Sequence, residues 1–147
     1  GPAIGGPLYI LFVVHVLEAD QPAVMLLKKA QITLAELVRR VDSLEAYKDF
    51  GSFTAFVDNV LPAVLRKLGV LVVDEGIAKT IDSRQHLPAG KLETELRAAA
   101  LVACDDIVTA AGGEFNAVDL DYYLWELGKD PEFRKYERHA TRDTMFY

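Results

Sequence analysis

Hydrophobic positions recur every three or four residues along most of the chain, a spacing that predicts amphipathic helices. The first long run predicts a helix from about Ala23 to Tyr47, with Asp20 as a capping residue and Pro22 near its start. A second long helix is predicted from Lys91 to Ala111, where Gly112-Gly113 ends it. The apolar face of the first helix is predicted to carry Leu26, Leu27, Ala30, Leu34, Leu37, Val38 and Val41.

Shorter elements are predicted between these two helices. A helix begins near Asp58 or is kinked there by Pro62, and Gly69 ends it. Three of residues 70–73 are β-branched, which is typical of a strand. The same residues also fit a buried link into a short helix that Asp74 caps, and we favour the link.

The last predicted helix is Leu120–Leu127, capped by Asn116 or Asp119 and ended by Gly128. A polar tail from Asp130 to Tyr147 follows it. The pattern therefore predicts a mainly α fold, a compact single-domain helical bundle over residues 1–147 with a short strand or extended link near 70–73.

Composition narrows the function classes. The 147 residues are 51% hydrophobic and carry a net charge of −6, so a globular domain with its own core is expected. An acidic balance argues against direct binding to nucleic acid or to an anionic membrane. The single cysteine, Cys104, excludes an internal disulfide and favours a reducing, cytoplasmic location, and its apolar surroundings predict a buried helix residue.

The most apolar stretch of the sequence is Leu8–Leu17. It is shorter than the roughly 20 residues that a membrane-spanning helix needs, and no basic residue precedes it as in a signal peptide. We expect it to be a buried element or a contact between copies in a homo-oligomer.

Three segments carry more polar chemistry than packing requires. Asp58 stands between apolar residues, where a helix N-cap is the structural alternative. Asp121 is followed by Tyr122 and Trp125, and its alternative is a first-turn acid that faces the helix dipole. The basic stretch Arg138–Arg142 is either solvated or packed back on the body. No catalytic triad, phosphate loop or metal-ligand pair is recognisable, so no cofactor or metal is expected.

Five blocks of the sequence, in order, resemble the queuosine salvage protein family. The likeness extends from about residue 26 to residue 147 and leaves residues 1–25 unmatched. It departs at Asn59-Val60, where the family usually has Tyr-Arg. The blocks are Leu27–Ile32, Phe53–Leu71, Glu93–Arg97 after Pro88, Leu120–Trp125, and His139–Arg142 with the terminal Phe146-Tyr147.

This resemblance implies an N-glycosidase with a DNA-glycosylase-like helical core, whose substrate is queuosine 5′-monophosphate and whose product is the base queuine. Such hydrolysis passes through an oxocarbenium-like sugar that carboxylates stabilise. The resemblance implies that Asp58 is the nucleophile or the stabiliser of the sugar cation. It also implies that Asp121 orients the base or supports the water, although the two roles could be exchanged.

Substrate-binding residues follow from the same resemblance. Tyr122 and Trp125 are candidates for stacking on the base or hydrogen bonding to it. Lys29 or Arg142 is a candidate for meeting the 5′-phosphate, because a local cation can bind an anion on an acidic protein.

Two other functions fit the sequence. The first is a catalytically inactive helical module that binds a nucleoside or a protein partner, which Asn59-Val60 favours. The second is a DNA-glycosylase-like protein, against which the net charge of −6 argues.

Overall fold

The computed structural model describes residues 28–40 and 53–142. This part of the chain is compact and helical and contains no strand, which confirms the mainly α prediction. Its elements are α1 (Lys28–Arg40), α2 (Val60–Lys67), α3 (Glu75–Asp82), α4 (Lys91–Ala110), α5 (Ala117–Leu127) and α6 (Pro131–Arg134).

Most predicted boundaries are confirmed within these residues. Gly69 follows α2 with a φ of 72°, a conformation that glycine adopts without steric cost. A link rather than a strand is found at 70–73, but it is not the buried link that was predicted, because Val70 and Val72 are exposed and only Leu71 is buried. The Asp74 carboxylate caps α3 by accepting a hydrogen bond from the Gly76 amide at 2.8 Å. The remainder of the helix predicted over Ala23–Tyr47, like the apolar stretch Leu8–Leu17, lies outside the described residues.

Two boundaries at the end of the fold differ from prediction. Helix α5 begins three residues before the predicted Leu120, because Asn116 and Asp119 form a reciprocal capping box, with amide to oxygen distances of 2.9 and 3.2 Å. Helix α6 was not predicted, although Asp130 caps it and Pro131 occupies its first turn. Both signals were present in the sequence.

The packed face of α1 is rotated from the predicted one. Leu34 and Leu37, both predicted on the apolar face, are about half exposed, whereas Val38 is buried as predicted, together with Ala35. Gln31 fixes this orientation, because its side chain accepts a hydrogen bond from the Thr54 amide at 2.9 Å and donates to the Thr54 hydroxyl at 3.0 Å.

Two apolar clusters form the core on either side of the extended segment 53–57. The larger cluster lies among α2, α4 and α5 and includes Leu61, Leu65 and Leu96. The smaller one joins α1 to α5 through Ala35, Phe56 and Val118. Neighbouring residues of the segment pack in different clusters. Ala55 and Val57 belong to the larger cluster, and Phe56 belongs to the smaller one. The chain that leads into α2 therefore lies at the boundary between the two clusters.

Helices α2 and α5 approach closely at Gly128, the residue after α5. A Cβ atom there would lie 2.6 Å from Val60 Cγ1 and 3.3 Å from Val64 Cγ2. We expect Gly128→Ala to lower the free energy of unfolding by about 1–3 kcal/mol through overpacking, measured by urea unfolding. Glu126→Ala, an exposed change on the same helix, is the control, expected within about 0.5 kcal/mol of the native protein. Equal stability of Gly128→Ala and the native protein would show that the contact is loose.

Candidate functional site

Asp58 lies between the extended segment and α2. Its Oδ1 accepts a hydrogen bond from the Val60 amide at 2.7 Å, and its Oδ2 lies 3.4 Å from Lys28 Nζ. The N-cap position belongs to Asn59, whose side chain makes no capping bond. Asp58 is therefore the residue before the N-cap, and its side chain accepts a hydrogen bond from the first residue of α2. This side chain is 15% exposed.

Asp121 lies in the second turn of α5, and Asp119 is the acidic residue of the first turn. The alternative of a first-turn acid is therefore wrong for Asp121. The residue is only 6% exposed, and its Oδ1 accepts a hydrogen bond from the Phe56 amide at 2.8 Å. Because Phe56 precedes Asp58 by two residues, this bond brings the two acids to the same place in the fold.

The electrostatics of Asp121 agree with that geometry. The pKa of Asp121 is raised to about 6, with burial as the largest cause and the charge of Asp58 as a further one. The hydrogen bond from Phe56 and the charge of Lys28 act in the opposite direction. Two carboxylates and one ammonium group therefore interact at this site, and the lysine offsets part of the repulsion between the acids.

Lys28 was not among the predicted site residues, whereas its neighbour Lys29 was. The Lys29 side chain is exposed on another face of α1. Lys28 shares helical spacing with Ile32 and Ala35, both of which pack in the smaller cluster. That spacing was the signal in the sequence, and it was missed because the apolar face of α1 was placed around Leu34.

The aromatic residues after Asp121 lie in different surroundings. The Tyr122 hydroxyl donates a hydrogen bond to Glu36 Oε1 at 2.7 Å, and its ring meets Phe56 edge to face at 6.4 Å. Trp125 is 42% exposed, with Lys129 Nζ 3.7 Å from its ring centroid. Tyr122 therefore joins α1 to α5 beside the carboxylates, whereas Trp125 lies at the surface.

The segment around His139 packs against the body of the protein, as one of the two alternatives for it predicted. The Leu87 amide donates to the Ala140 carbonyl at 2.8 Å, and the His139 ring is buried beside Glu93. Arg142 is exposed. The terminal Phe146-Tyr147 lies outside the described residues.

An apolar groove of about 470 Å³ is lined in part by α5. Its lining contains neither Asp58 nor Asp121, and Asp119 is its only ionisable carboxylate. It therefore offers few polar partners to a nucleotide. The lining residues are Leu68, Ile107, Phe115, Asp119, Leu120, Tyr123 and Leu124.

Other chemistry is limited in the described ranges. Cys104 is fully buried, and burial together with the charges of Asp121 and Asp105 raises the pKa of its thiol to about 12, so it is no nucleophile at neutral pH. Over the same residues, no group of three or more His, Cys, Asp or Glu side chains is arranged to hold a metal ion. None of the helices described is both long and apolar enough to span a bilayer.

Comparison with known proteins gives a consistent result. The family model for queuosine salvage protein matches residues 15–147. A queuosine 5′-phosphate N-glycosylase/hydrolase of Sphaerobacter thermophilus is 33% identical over 126 residues, which cover 82% of this chain and 39% of the relative. Relatives with the same name from Nematostella vectensis and Bos taurus are 32% and 29% identical, covering 82% and 70% of this chain.

The relatives are longer than this chain, which spans about two fifths of the length of the Sphaerobacter and Nematostella proteins. Within that span, the family model includes every residue of the site, from Lys28 through Asp58 to Asp121. The chain belongs to the queuosine salvage protein family.

Proposed function

We propose that this chain hydrolyses the N-glycosidic bond of queuosine 5′-phosphate, releasing queuine. The observation that carries the proposal is the convergence of Asp58 and Asp121, from two separate elements, on one site next to Lys28. Curated relatives that cover this region are named for the same reaction.

The reaction breaks the bond between the base nitrogen and C1′ of the ribose. The bonding electrons leave with the base, and positive charge develops on the sugar. Asp58 is the more exposed of the two acids, so its carboxylate is placed to stabilise that charge or to bond to C1′. Water then supplies hydroxide to C1′ and a proton to the base, so queuine and ribose 5-phosphate are the products.

Asp121 serves the water or the base in this scheme. A carboxyl with a pKa of about 6 exchanges protons readily near neutral pH, as a general acid or base must. Its Oδ1 is held by the Phe56 amide, so the side chain has a fixed direction. The expected position of Asp121 is beside the glycosidic bond that breaks, next to the C1′ atom that Asp58 attacks or whose charge it stabilises.

Substrate contacts complete the proposal. Tyr122, next to Asp121 on α5, is the aromatic residue best placed to meet the base from the side of the carboxylates. Trp125, Lys29 and Arg142 are exposed and free of the core, so they would contact the base or the 5′-phosphate from the rim. No metal or cofactor takes part in the proposed reaction.

The test is to incubate the chain with queuosine 5′-monophosphate and to measure free queuine and ribose 5-phosphate by mass spectrometry. We expect equal amounts of the two products, and less release from unphosphorylated queuosine. The Sphaerobacter relative, assayed alongside, is the positive control. If the relative releases queuine and this chain binds the nucleotide without cleaving it, the activity is refuted and the inactive binding module is supported.

A further inference from the structure

A buried cluster of three polar side chains lies next to the backbone around Asp58. Its members are Glu93 and Arg97, one turn apart near the start of α4, and His139 from the segment after α6. Each of the three is only 2% exposed. Taking charged groups out of water is costly, and replacing such groups with apolar side chains is often neutral or stabilising. Stability alone therefore does not explain this cluster.

The contacts within the cluster converge on Glu93. Its Oε1 lies 3.7 Å from Arg97 Nε and 3.4 Å from His139 Nε2. This arrangement links α4 to the chain segment at His139. Glu93, Arg97 and His139 are called the positioning cluster below.

The positioning cluster holds the backbone on both sides of Asp58. On the preceding side, Arg97 Nε and Nη2 both donate to the Val57 carbonyl, at 3.1 and 2.9 Å. On the following side, Asn59 Nδ2 donates to the His139 carbonyl at 3.1 Å. The planar guanidinium fixes the direction of the carbonyl as well as its distance. Rotation of the Asp58 backbone is thus restrained at both neighbouring residues.

We infer that the positioning cluster sets the direction of the Asp58 carboxylate toward the substrate, an inference that rests on the proposed function. These are positioning residues, because their contacts reach the backbone next to Asp58 and not the reacting atoms. A catalytic group displaced by about 1 Å can lose about 100-fold in rate. The bond from the Val60 amide to Asp58 Oδ1 reports this direction independently of catalysis.

The test uses Arg97→Lys, which keeps a positive charge near Glu93 but cannot make the paired bonds to the Val57 carbonyl. We expect kcat for queuine release to fall by about 10- to 100-fold with KM changed less than about twofold. We also expect hydrogen exchange of the Val60 amide to become at least about tenfold faster, while the Leu65 amide in α2 exchanges as in the native protein.

Two further variants complete the design. Arg66→Lys is the matched control. Arg66 lies near the other end of α2 and makes paired bonds of 3.2 Å to Asp82. The kcat of this variant should equal the native value. Asn59→Ala removes the contact on the other side of Asp58 without touching the buried charges, and a smaller fall in kcat, of about 3- to 10-fold, is expected.

The outcomes separate this inference from the proposed function. Absence of queuine release from the native chain would refute the function, and the Val60 exchange would still decide whether the cluster orients Asp58. If Arg97→Lys keeps native kcat and native Val60 exchange, the inference is wrong. Equally faster exchange at Val60 and Leu65 would also overturn it, because that result indicates general destabilisation.

Discussion

Asp58→Asn is expected to lower kcat for queuine release on the order of 10³-fold, because it removes the negative charge that faces the developing cation at C1′. The amide oxygen of Asn can still accept the bond from the Val60 amide, so the start of α2 should persist. Loss of the pair with Lys28 should lower stability, because both side chains are only 15% exposed and the ammonium group loses one of its partners. The measurement is the rate of queuine release under saturating substrate, together with thermal unfolding.

Asp82→Asn is the control for this prediction. It makes the same chemical change at an exposed carboxylate that pairs with Arg66 at the surface. We expect native kcat for Asp82→Asn. Native kcat for Asp58→Asn would remove this carboxylate from the mechanism.

Asp121→Asn is expected to lower kcat on the order of 100-fold and, at neutral pH, to stabilise the protein. The carboxylate of Asp121 is buried beside Asp58, so its ionised form is disfavoured in the folded state. A neutral amide avoids that cost and can still accept the bond from the Phe56 amide. Activity and stability should therefore change in opposite directions at this residue.

The stability gain has a defined pH dependence. The pKa of Asp121 is raised from 3.8 in the unfolded chain to about 6 in the folded one, so the folded state holds the proton more tightly. The contribution of Asp121 to native stability consequently falls as pH rises from about 4 to 6, and it is constant above that. At about 1.4 kcal/mol per pKa unit, we expect Asp121→Asn to gain about 1–3 kcal/mol relative to the native protein between pH 4 and pH 7.

Urea unfolding of both proteins at pH 4 and pH 7 checks this prediction. The difference in free energy of unfolding between variant and native protein should grow toward neutral pH. A difference that is the same at both pH values would mean that Asp121 is not perturbed by its surroundings. A difference that shrinks would mean that its ionised form is stabilised by the fold.

Local signals explain why most of the helical frame could be predicted. Helix ends depend on a few residues close in sequence, such as Gly69 with its positive φ and Asp74 with its capping bond. The late start predicted for α5 came from giving the apolar run at Leu120 more weight than the capping box at Asn116. A boundary that depends on a reciprocal side-chain bond is harder to place from hydrophobic spacing alone.

The candidate site was harder to predict because it depends on contacts between distant segments. The two acids could be singled out, but their pairing depends on the bond from the Phe56 amide to Asp121, across 65 residues. Lys29 was expected on α1 as a contact for the 5′-phosphate, whereas the cation beside Asp58 is Lys28, because a rotation of α1 by one residue, about 100°, changes which side chain faces Asp58. Periodicity cannot settle such a rotation when apolar residues lie on more than one face.

A double-mutant cycle on Asp58 and Asp121 tests the central claim, that these two acids act as one site, most directly. Single-turnover rates of queuine release are compared for the native chain, Asp58→Asn, Asp121→Asn and the double variant. Residues that act as a unit are strongly non-additive, so the double variant should retain a rate within about tenfold of Asp58→Asn. Multiplication of the two single losses, to on the order of 10⁵-fold, would show that the acids act independently and would contradict the account.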